Sequence, residues 1–175
     1  KGATIVIMQP KTGEILALAN RPGYDSNRYR EFDAQTWRNS AVSNTYEPGS
    51  TFKIVTTAAA LEEGVVSPDE RFYDPGFYEV GGHRIKCWRS YNPHGSQSFR
   101  EVMQNSCNPG FVEVGLRLEN QEKGVFYKYI KAFGFGAKTG IDLPGEASGI
   151  MINEKDLKPI NIGTISTGQG IAVTP

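Results

Sequence analysis

The sequence has 175 residues, 38% of them hydrophobic and 22% charged, and its 19 basic side chains balance 19 acidic ones. This length predicts a single folded domain. The net charge is zero and there is no run of basic residues, so the sequence shows no sign of a nucleic-acid-binding surface. No apolar run reaches the roughly 18 residues that a membrane-spanning helix requires, so such a helix is excluded within this sequence.

The first predicted element is a β-hairpin. Apolar residues favour strands over residues 3–8 and 14–19. The Lys-Thr-Gly triplet at residues 11–13 lies between them and is typical of a hairpin turn. A Pro-Gly pair at residues 22–23 then begins a loop.

The next predicted element is a helix that carries Ser50 and Lys53. Pro48 and Gly49 precede it, and helix formers continue until Gly64 ends it. Side chains three residues apart lie on one face of a helix, so the serine hydroxyl and the lysine amine are expected to meet. Ser50 falls near the helix N-terminus, where free amides and the helix dipole favour a developing alkoxide or oxyanion.

A lysine acts as a base only when it is neutral, and its ordinary pKa of about 10.4 keeps it protonated at neutral pH. Phe52, Ile54 and Val55 flank Lys53 with apolar bulk, and burial there is expected to lower its pKa. The amine would then activate Ser50 as a nucleophile without any histidine. The alternative is a capping serine beside a solvated lysine, because Ser-x-x-Lys arises by chance in many helices.

The middle of the sequence mixes turns with short elements. Residues 65–95 are predicted to be turn-rich, with short strands at residues 77–80 and 84–88 on either side of a Gly-Gly pair. Helices are predicted at residues 99–105, 111–117 and 120–133. The last of these is expected to bury a partial apolar face made of Val125, Tyr127, Tyr129, Ile130 and Phe133.

A Ser-x-Asn triplet, formed by Ser106 and Asn108 around Cys107, lies before a Pro-Gly pair that marks a turn or a helix start. Its first and third side chains can point to the same side. Ser106 could then relay a proton, and Asn108 could hydrogen-bond both Lys53 and a substrate amide. Alone, the triplet is ordinary turn chemistry. Its pairing with Ser50 and Lys53 makes it a candidate catalytic motif.

Together these motifs resemble the serine penicillin-binding proteins, whose transpeptidase domains carry Ser-x-x-Lys, Ser-x-Asn and Lys-Thr-Gly. Residues 1–24 are similar to the opening hairpin of the class B transpeptidase domain. Residues 133–146 and 168–175 are similar to its later landmarks, and residues 87–111 are most similar to its sporulation branch. The resemblance implies an α/β fold, the serine β-lactamase-like transpeptidase fold. In it a helical subdomain packs against a mainly antiparallel sheet.

Neither Lys-Thr-Gly triplet is expected to be the third catalytic motif. Residues 11–13 fit a hairpin turn, and residues 138–140 come before the Gly-Gln-Gly landmark at residues 168–170. The resemblance places the functional triplet on a strand after that landmark. Residues 1–175 are therefore expected to be the N-terminal and central part of the transpeptidase domain, without the third-motif strand, a membrane anchor or a pedestal domain. Such a fragment is not expected to complete a catalytic cycle.

The resemblance implies a peptidoglycan D,D-transpeptidase that needs no cofactor for catalysis. Lys53 would deprotonate Ser50, which would form an acyl-enzyme with a D-Ala-D-Ala stem peptide, and Ser106 would deliver a proton to the departing D-alanine. β-Lactams would acylate the same serine. The resemblance also implies a catalytic domain on the extracytoplasmic face of the cell membrane, a glycosyltransferase partner and a role in spore cortex synthesis.

Two other functions remain open from the sequence. A β-lactamase or β-lactam sensor could use the same serine and lysine, although a hydrolase needs an added base for the deacylating water and none is evident. A non-catalytic cell-wall scaffold could keep the fold without the chemistry.

The cysteines also leave alternatives open. Cys87, His94 and Cys107, separated by six and twelve residues, could close a tetrahedral structural zinc site with Asp74 or His83 as the fourth ligand. Because the family works outside the cytoplasm, where thiols oxidise, a Cys87–Cys107 disulfide that switches activity is the second alternative. Two buried unpaired thiols that behave as small hydrophobes are the third.

Overall fold

The computed structural model describes residues 2–175. Its strands are β1 (Ala3–Met8), β2 (Ile15–Arg21), β3 (Arg71–Asp74), β4 (Phe77–Val80), β5 (His83–Lys86) and β6 (Gly95–Ser98). Its α-helices are α1 (Ser40–Ser43), α2 (Lys53–Glu62), α3 (Phe99–Gln104), α4 (Asn108–Gln121), α5 (Val125–Ala132) and α6 (Pro159–Ser166). Short 3-10 helices span Ser26–Glu31, Ala34–Trp37, Gly49–Phe52 and Glu154–Asp156.

The strands pair in three antiparallel couples, β1 with β2, β3 with β6 and β4 with β5. The predicted hairpin is confirmed, and its Lys-Thr-Gly turn ends at Gly13, whose φ of 76° suits a residue without a side chain. Isolated antiparallel bridges join Tyr46 to Val173 and Ile150 to Ala172. Helices with antiparallel pairs agree with the predicted α/β class.

The turn-rich region holds more regular structure than predicted. The strand at residues 77–80 is confirmed, but the one expected at residues 84–88 is β5, which ends at Lys86. The pairing of β3 with β6 was not predicted, because these strands lie more than twenty residues apart and β6 (Gly-Ser-Gln-Ser) lacks the usual strand formers. Because β5 ends at Lys86, Cys87 and Trp88 lie in the loop that follows it.

The helix predicted at residues 120–133 is wrong over its first turn. Helix α4 runs on to Gln121, and Gly124, with a φ of 83°, separates it from α5. On α5 the fully buried side chains are Val125, Phe126 and Ile130, whereas Phe133 is exposed. Among the helices that the structure describes, none has both the length and the apolar character needed to cross a membrane.

Helix α4 forms the centre of the core and packs against α2, α5 and α6. Its buried side chains include Phe111, Val112, Val114 and Leu118, each without measurable exposure, and burial of such a side chain stabilises a fold by about 1.5–3 kcal/mol. Helix α6 approaches at Gly115, where a Cβ would lie 2.7 Å from the Cβ of Ser166. This packing fixes the N-terminus of α4, which carries the Ser-x-Asn triplet, against the N-terminus of α2.

Candidate active site

Ser50 lies in the tight 3-10 turn that leads into α2. The turn begins at Gly49, whose φ is 58° and whose amide donates to the carbonyl oxygen of Gly168 at 2.9 Å. A Cβ on Gly168 would lie 1.9 Å from the Gly49 carbonyl oxygen, so a glycine is required there. The amide of Gly170 donates to Glu47 at 2.8 Å. The Gly-Gln-Gly segment thus holds the turn that presents Ser50, a contact that the sequence did not predict.

Lys53, the first residue of α2, brings the candidate catalytic residues together. Its Nζ lies 3.3 Å from Ser50 Oγ, 3.0 Å from Ser106 Oγ, 2.8 Å from the Ser106 carbonyl oxygen and 2.7 Å from Asn108 Oδ1. Ser50, Lys53, Ser106 and Asn108 are called the serine–lysine cluster below. Four oxygens therefore surround one amine. In the sequence, the Ser50–Lys53 pair and the Ser106–Asn108 pair of this cluster are more than fifty residues apart.

Burial of Lys53 is nearly complete, with 1% of the residue exposed. Desolvation lowers the pKa of Lys53 to about 8, and this effect outweighs the opposing influence of Cys107 and Cys87. The Nζ also lies 5.1 Å from the centre of the Phe111 ring. The expectation that Ile54 helps to bury the lysine is wrong, because Ile54 is 60% exposed. Residues on α4 and the loop before it bury the amine instead.

The Ser-x-Asn triplet joins the end of α3 to the start of α4. Ser106 has a φ of 51°, and its amide donates to the Met103 carbonyl while the Cys107 amide donates to the Val102 carbonyl. These two bonds form a Schellman motif, in which the left-handed position is usually a glycine. A serine there is strained by about 1–2 kcal/mol. This backbone conformation points the carbonyl oxygen and the hydroxyl of Ser106 at the Lys53 amine.

Asn108 is the first residue of α4 and has a partner for each end of its amide. Its Oδ1 accepts from Lys53, and its Nδ2 donates to the Lys86 carbonyl oxygen at 2.9 Å. The loop after β5 also bonds to the same region through Trp88, whose Nε1 donates to the Asn105 carbonyl oxygen at 2.8 Å. The β4–β5 hairpin thereby fixes the orientation of the asparagine.

Neither Lys-Thr-Gly triplet takes part in the hydrogen bonds of the serine–lysine cluster. Residues 11–13 form the turn of the β1–β2 hairpin. In the second triplet, the Thr139 amide and hydroxyl both donate to Glu146 at 2.6 Å, and these bonds lower the pKa of that carboxyl. Thr139 and Glu146 therefore close a local loop.

Asp74, Cys87, His94 and Cys107 form a second group, called the cysteine cluster below. One ligand atom from each lies within 4.8 Å of the other three. His94 Nδ1 is 2.8 Å from Asp74 Oδ2 and 3.5 Å from Cys87 Sγ. His83, the other candidate for a fourth ligand, is exposed at the start of β5 and is not part of this group.

Burial dominates the chemistry of the cysteine cluster. Desolvation raises the pKa of the Cys107 thiol to about 12 and also raises that of Cys87. Burial alone would raise the pKa of Asp74, but hydrogen bonds from His94 and the Gly76 amide outweigh it and lower the value. Both cysteines are free thiols in the structure. Thiolates, imidazole and carboxylate are the ligands that zinc prefers, so these residues could hold a metal ion.

The chain matches a family model described as the penicillin binding protein transpeptidase domain over residues 3–175. Among curated proteins, it is 51% identical to stage V sporulation protein D of Bacillus subtilis (strain 168), with 99% of this chain and 27% of that protein covered. It is 34% identical to the probable peptidoglycan D,D-transpeptidase PenA of Neisseria gonorrhoeae, with 99% and 29% covered. The chain thus spans less than a third of the length of these relatives.

Solved structures give the same likeness. The chain superposes on the Pseudomonas aeruginosa PBP2 structure, solved in complex with WCK 5153, with a TM-score of 0.86 and 29% identity over 98% of this chain and 43% of that one. A peptidoglycan glycosyltransferase structure from Burkholderia ambifaria gives a TM-score of 0.82 at 26% identity, over 99% of this chain and 49% of that one. The predicted fold class and the predicted family resemblance are confirmed.

Proposed function

The chain belongs to the penicillin binding protein transpeptidase domain family, and we propose that it supplies the serine nucleophile of a peptidoglycan D,D-transpeptidase. One observation carries the proposal: the Lys53 amine lies among Ser50, Ser106 and Asn108. A relative that is 34% identical bears the name of a probable peptidoglycan D,D-transpeptidase. The proposed substrate is the D-Ala-D-Ala end of a stem peptide.

The hydrogen-bond arrangement suits a neutral lysine. A neutral amine has two hydrogens to donate and one lone pair that can accept. The Ser106 carbonyl oxygen and Asn108 Oδ1 can only accept, and they are the two nearest partners of Lys53 Nζ. Both amine hydrogens are then used, and the lone pair is left for a hydroxyl proton from Ser50 or Ser106. The protonated amine would instead donate a third hydrogen to one of those hydroxyls.

In the proposed acylation, the Lys53 amine takes the proton from Ser50 Oγ, and that oxygen attacks the carbonyl carbon of the penultimate D-alanine. The backbone amide of Ser50, near the N-terminal end of a helical segment, favours the negative charge on the carbonyl oxygen. The C–N bond then breaks. The terminal D-alanine leaves with a proton delivered from Lys53 through Ser106.

Deacylation by an amine completes the proposed reaction. The amine of a second stem peptide attacks the ester carbonyl and gives a proton to Lys53. The new C–N bond forms, the ester C–O bond to Ser50 breaks, and Ser50 Oγ takes up the proton from Lys53. A β-lactam would enter by the same first step, because its strained amide presents a carbonyl to the same oxygen, and ring opening leaves the serine acylated. No metal or organic cofactor is needed for these steps.

The proposal extends to the setting of the whole protein. The identity of 51% to a stage V sporulation protein supports a role in spore cortex synthesis. A substrate in the cell wall would place this domain on the extracytoplasmic face of the cell membrane. A glycosyltransferase that makes the glycan strands is the proposed partner, because cross-linking consumes the strands that such an enzyme extends.

The test is covalent labelling of the full-length protein by a fluorescent penicillin. We expect wild-type protein to be labelled and Ser50→Ala to be unlabelled while it remains folded by circular dichroism. Thr51→Ala is the matched control, since Thr51 lies in the same turn but donates its hydroxyl hydrogen to the Pro48 carbonyl oxygen. Labelling of Ser50→Ala at the wild-type rate would contradict the proposal, and rapid hydrolytic release of the label would favour a hydrolase.

A further inference from the structure

We propose that the outer edge of β5 binds the stem peptide as an added β-strand, over the part of the peptide that precedes D-Ala-D-Ala. The inference rests on the proposed function, because it names a further region of the same substrate. Strands β4 and β5 form a two-stranded sheet, so in the part of the chain that the structure describes each has one edge without a strand partner. An extended peptide can add to such an edge through main-chain hydrogen bonds.

The turn of the β4–β5 hairpin determines which backbone groups face outward. Gly81 and Gly82 form its two-residue loop and have positive φ values of 58° and 76°, which is the pattern of a type I′ turn. In such a hairpin the residues that flank the turn form a hydrogen-bonded pair, and the pairs then alternate along the ladder. Arg84 and Lys86 are therefore not hydrogen-bonded to β4, and their amide and carbonyl groups point away from it.

Two hydrogen bonds outside the ladder agree with this register. The Cys87 amide donates to the Gly76 carbonyl oxygen at 2.9 Å, which is the next hydrogen-bonded pair expected beyond Lys86. The Lys86 carbonyl oxygen accepts from Asn108 Nδ2 at 2.9 Å, so it does point outward. Among the described residues, the Arg84 amide and carbonyl and the Lys86 amide have no hydrogen-bond partner. Three main-chain groups thus remain free for a ligand.

A groove of about 580 Å³ lies along this edge. Its lining also includes Ile160 and Thr164 of α6 and the exposed residue Gln169. A Cβ on Gly81 would lie 3.5 Å from the Ile160 Cβ, so the tip of the hairpin lies against α6. The volume is within the range of pockets that bind small ligands, and the groove therefore has room for a short extended segment.

The charge of the groove suits an anionic peptide. His83, Arg84 and Lys86 line it, and the described residues of its lining include no acidic side chain. Arg84 has an exposed ion pair with Glu79 at 3.4 Å, and such a pair contributes little to stability. Because Arg84 and Lys86 lie two residues apart, their side chains project from the same face of β5. The glutamate carboxylate of the stem peptide is the proposed partner of these two cations.

The groove is continuous with the serine–lysine cluster. Asn108 lines the groove and connects the two, since its Nδ2 donates to the Lys86 carbonyl oxygen and its Oδ1 accepts from Lys53. Lys53 Nζ in turn lies 3.3 Å from Ser50 Oγ. Four steps of at most about 3.3 Å therefore connect Lys86 to Ser50, and four extended residues at about 3.3 Å each span that distance. A peptide whose penultimate D-alanine lies at Ser50 would thus reach the β5 edge with its preceding residues.

Hydrogen–deuterium exchange of full-length Ser50→Ala protein, read at single residues by mass spectrometry, tests the binding without any reaction. The probe is the pentapeptide L-Ala-γ-D-Glu-L-Lys-D-Ala-D-Ala. The control peptide is N-acetyl-D-Ala-D-Ala, which lacks the residues assigned to the groove. We expect the amides of residues 84 and 86 to exchange rapidly in the free protein and at least about tenfold more slowly with the pentapeptide bound. The control peptide is expected to leave them unprotected.

Three outcomes of this experiment would overturn the proposal. Rapid exchange that persists up to the solubility limit of the pentapeptide would show that the edge binds no peptide. Slow exchange before any peptide is added would show that another part of the full-length protein already covers the edge. Equal protection by the control peptide would show that the preceding residues are not what binds there. None of these results depends on the reaction of Ser50, which penicillin labelling tests separately.

A kinetic measurement tests the contribution of charge. In wild-type full-length protein, kcat/KM for release of D-alanine is expected to be at least about tenfold higher for the pentapeptide than for the control peptide. Lys86→Gln should lower this ratio by about two- to fivefold. Lys128→Gln, which changes an exposed lysine on α5 outside the groove, should preserve it. An equal ratio in Lys86→Gln and wild-type protein would contradict the pairing of Lys86 with the peptide carboxylate.

Discussion

The serine–lysine cluster and the cysteine cluster meet at residues 106–108, and they differ in how their buried polar groups are hydrogen-bonded. In the first, one amine lies within 3.3 Å of four oxygens, and two of them are strong acceptors. In the second, two thiols, an imidazole and a carboxylate converge. Asp74 and His94 are hydrogen-bonded at 2.8 Å, whereas Cys87 Sγ makes a weaker contact with His94 Nδ1 at 3.5 Å.

This difference separates a group whose amine already has oxygen partners from a group whose donor atoms are suited to an added ion. Hydrogen bonds to oxygen compensate much of the desolvation free energy of burying Lys53. The desolvation that remains lowers the pKa of the lysine to about 8. Thiols form only weak hydrogen bonds, so burial keeps them protonated and raises their pKa. A metal ion is the partner that would favour their thiolate forms.

The largest expected effect on the acylation rate comes from removing the Lys53 amine while keeping the length of the side chain. Lys53→Met retains an unbranched side chain of similar length, and we expect it to slow acylation by a fluorescent penicillin by about 10²- to 10⁴-fold, the usual contribution of a general base. Lys155→Met, at an exposed position in a short 3-10 helix, is the matched control and should react as wild type does. A folded Lys53→Met protein with an unchanged rate would mean that another group activates the serine.

A smaller effect is expected in the cysteine cluster without metal. Asp74→Ala removes the acceptor of the Gly76 amide, at 2.6 Å, and of His94, which leaves buried donors unpaired. In chelator-treated protein we expect the free energy of unfolding to fall by about 1–3 kcal/mol, measured by urea denaturation. Asp69→Ala, which removes an exposed ion pair with Arg100, should change it by less than about 0.5 kcal/mol. Equal effects of the two variants would contradict the structural role of Asp74.

The smallest effect is expected at the two Lys-Thr-Gly triplets. Lys11→Ala and Lys138→Ala change exposed side chains outside both clusters, so the acylation rate should change by less than about twofold. The measurement is the same penicillin-labelling assay. A large loss in either variant would show that its triplet contributes to the site after all.

The sequence predicted the elements whose signal is local. The β1–β2 hairpin, the turn before Ser50 and the strand at residues 77–80 follow from alternating apolar residues and from the placement of glycine and proline. The i, i+3 spacing predicted the contact between Ser50 and Lys53. The convergence of the Ser-x-Asn triplet on the same amine was anticipated only because both motifs are recognisable together.

Features set by distant contacts could not be predicted. The strand β6 forms because β3 pairs with it, and the Gly168 contact with Gly49 joins segments more than a hundred residues apart. The Schellman motif at Ser106 was hidden because a serine occupies the position where glycine gives the signal. Ile54 was misplaced because its neighbours in sequence say nothing about which face of α2 meets α4.

The pH dependence of acylation tests the role of Lys53 most directly. In the proposed mechanism the neutral amine is the base, so lowering the pH below its pKa of about 8 should reduce the reactive fraction by about tenfold per unit. The second-order rate constant for penicillin acylation should therefore rise with pH and level off above about 8, and this rise should be absent in Lys53→Met. A wild-type rate constant that stays flat from about pH 6 to about pH 9, with Ser50 still labelled, would contradict activation of the serine by this lysine.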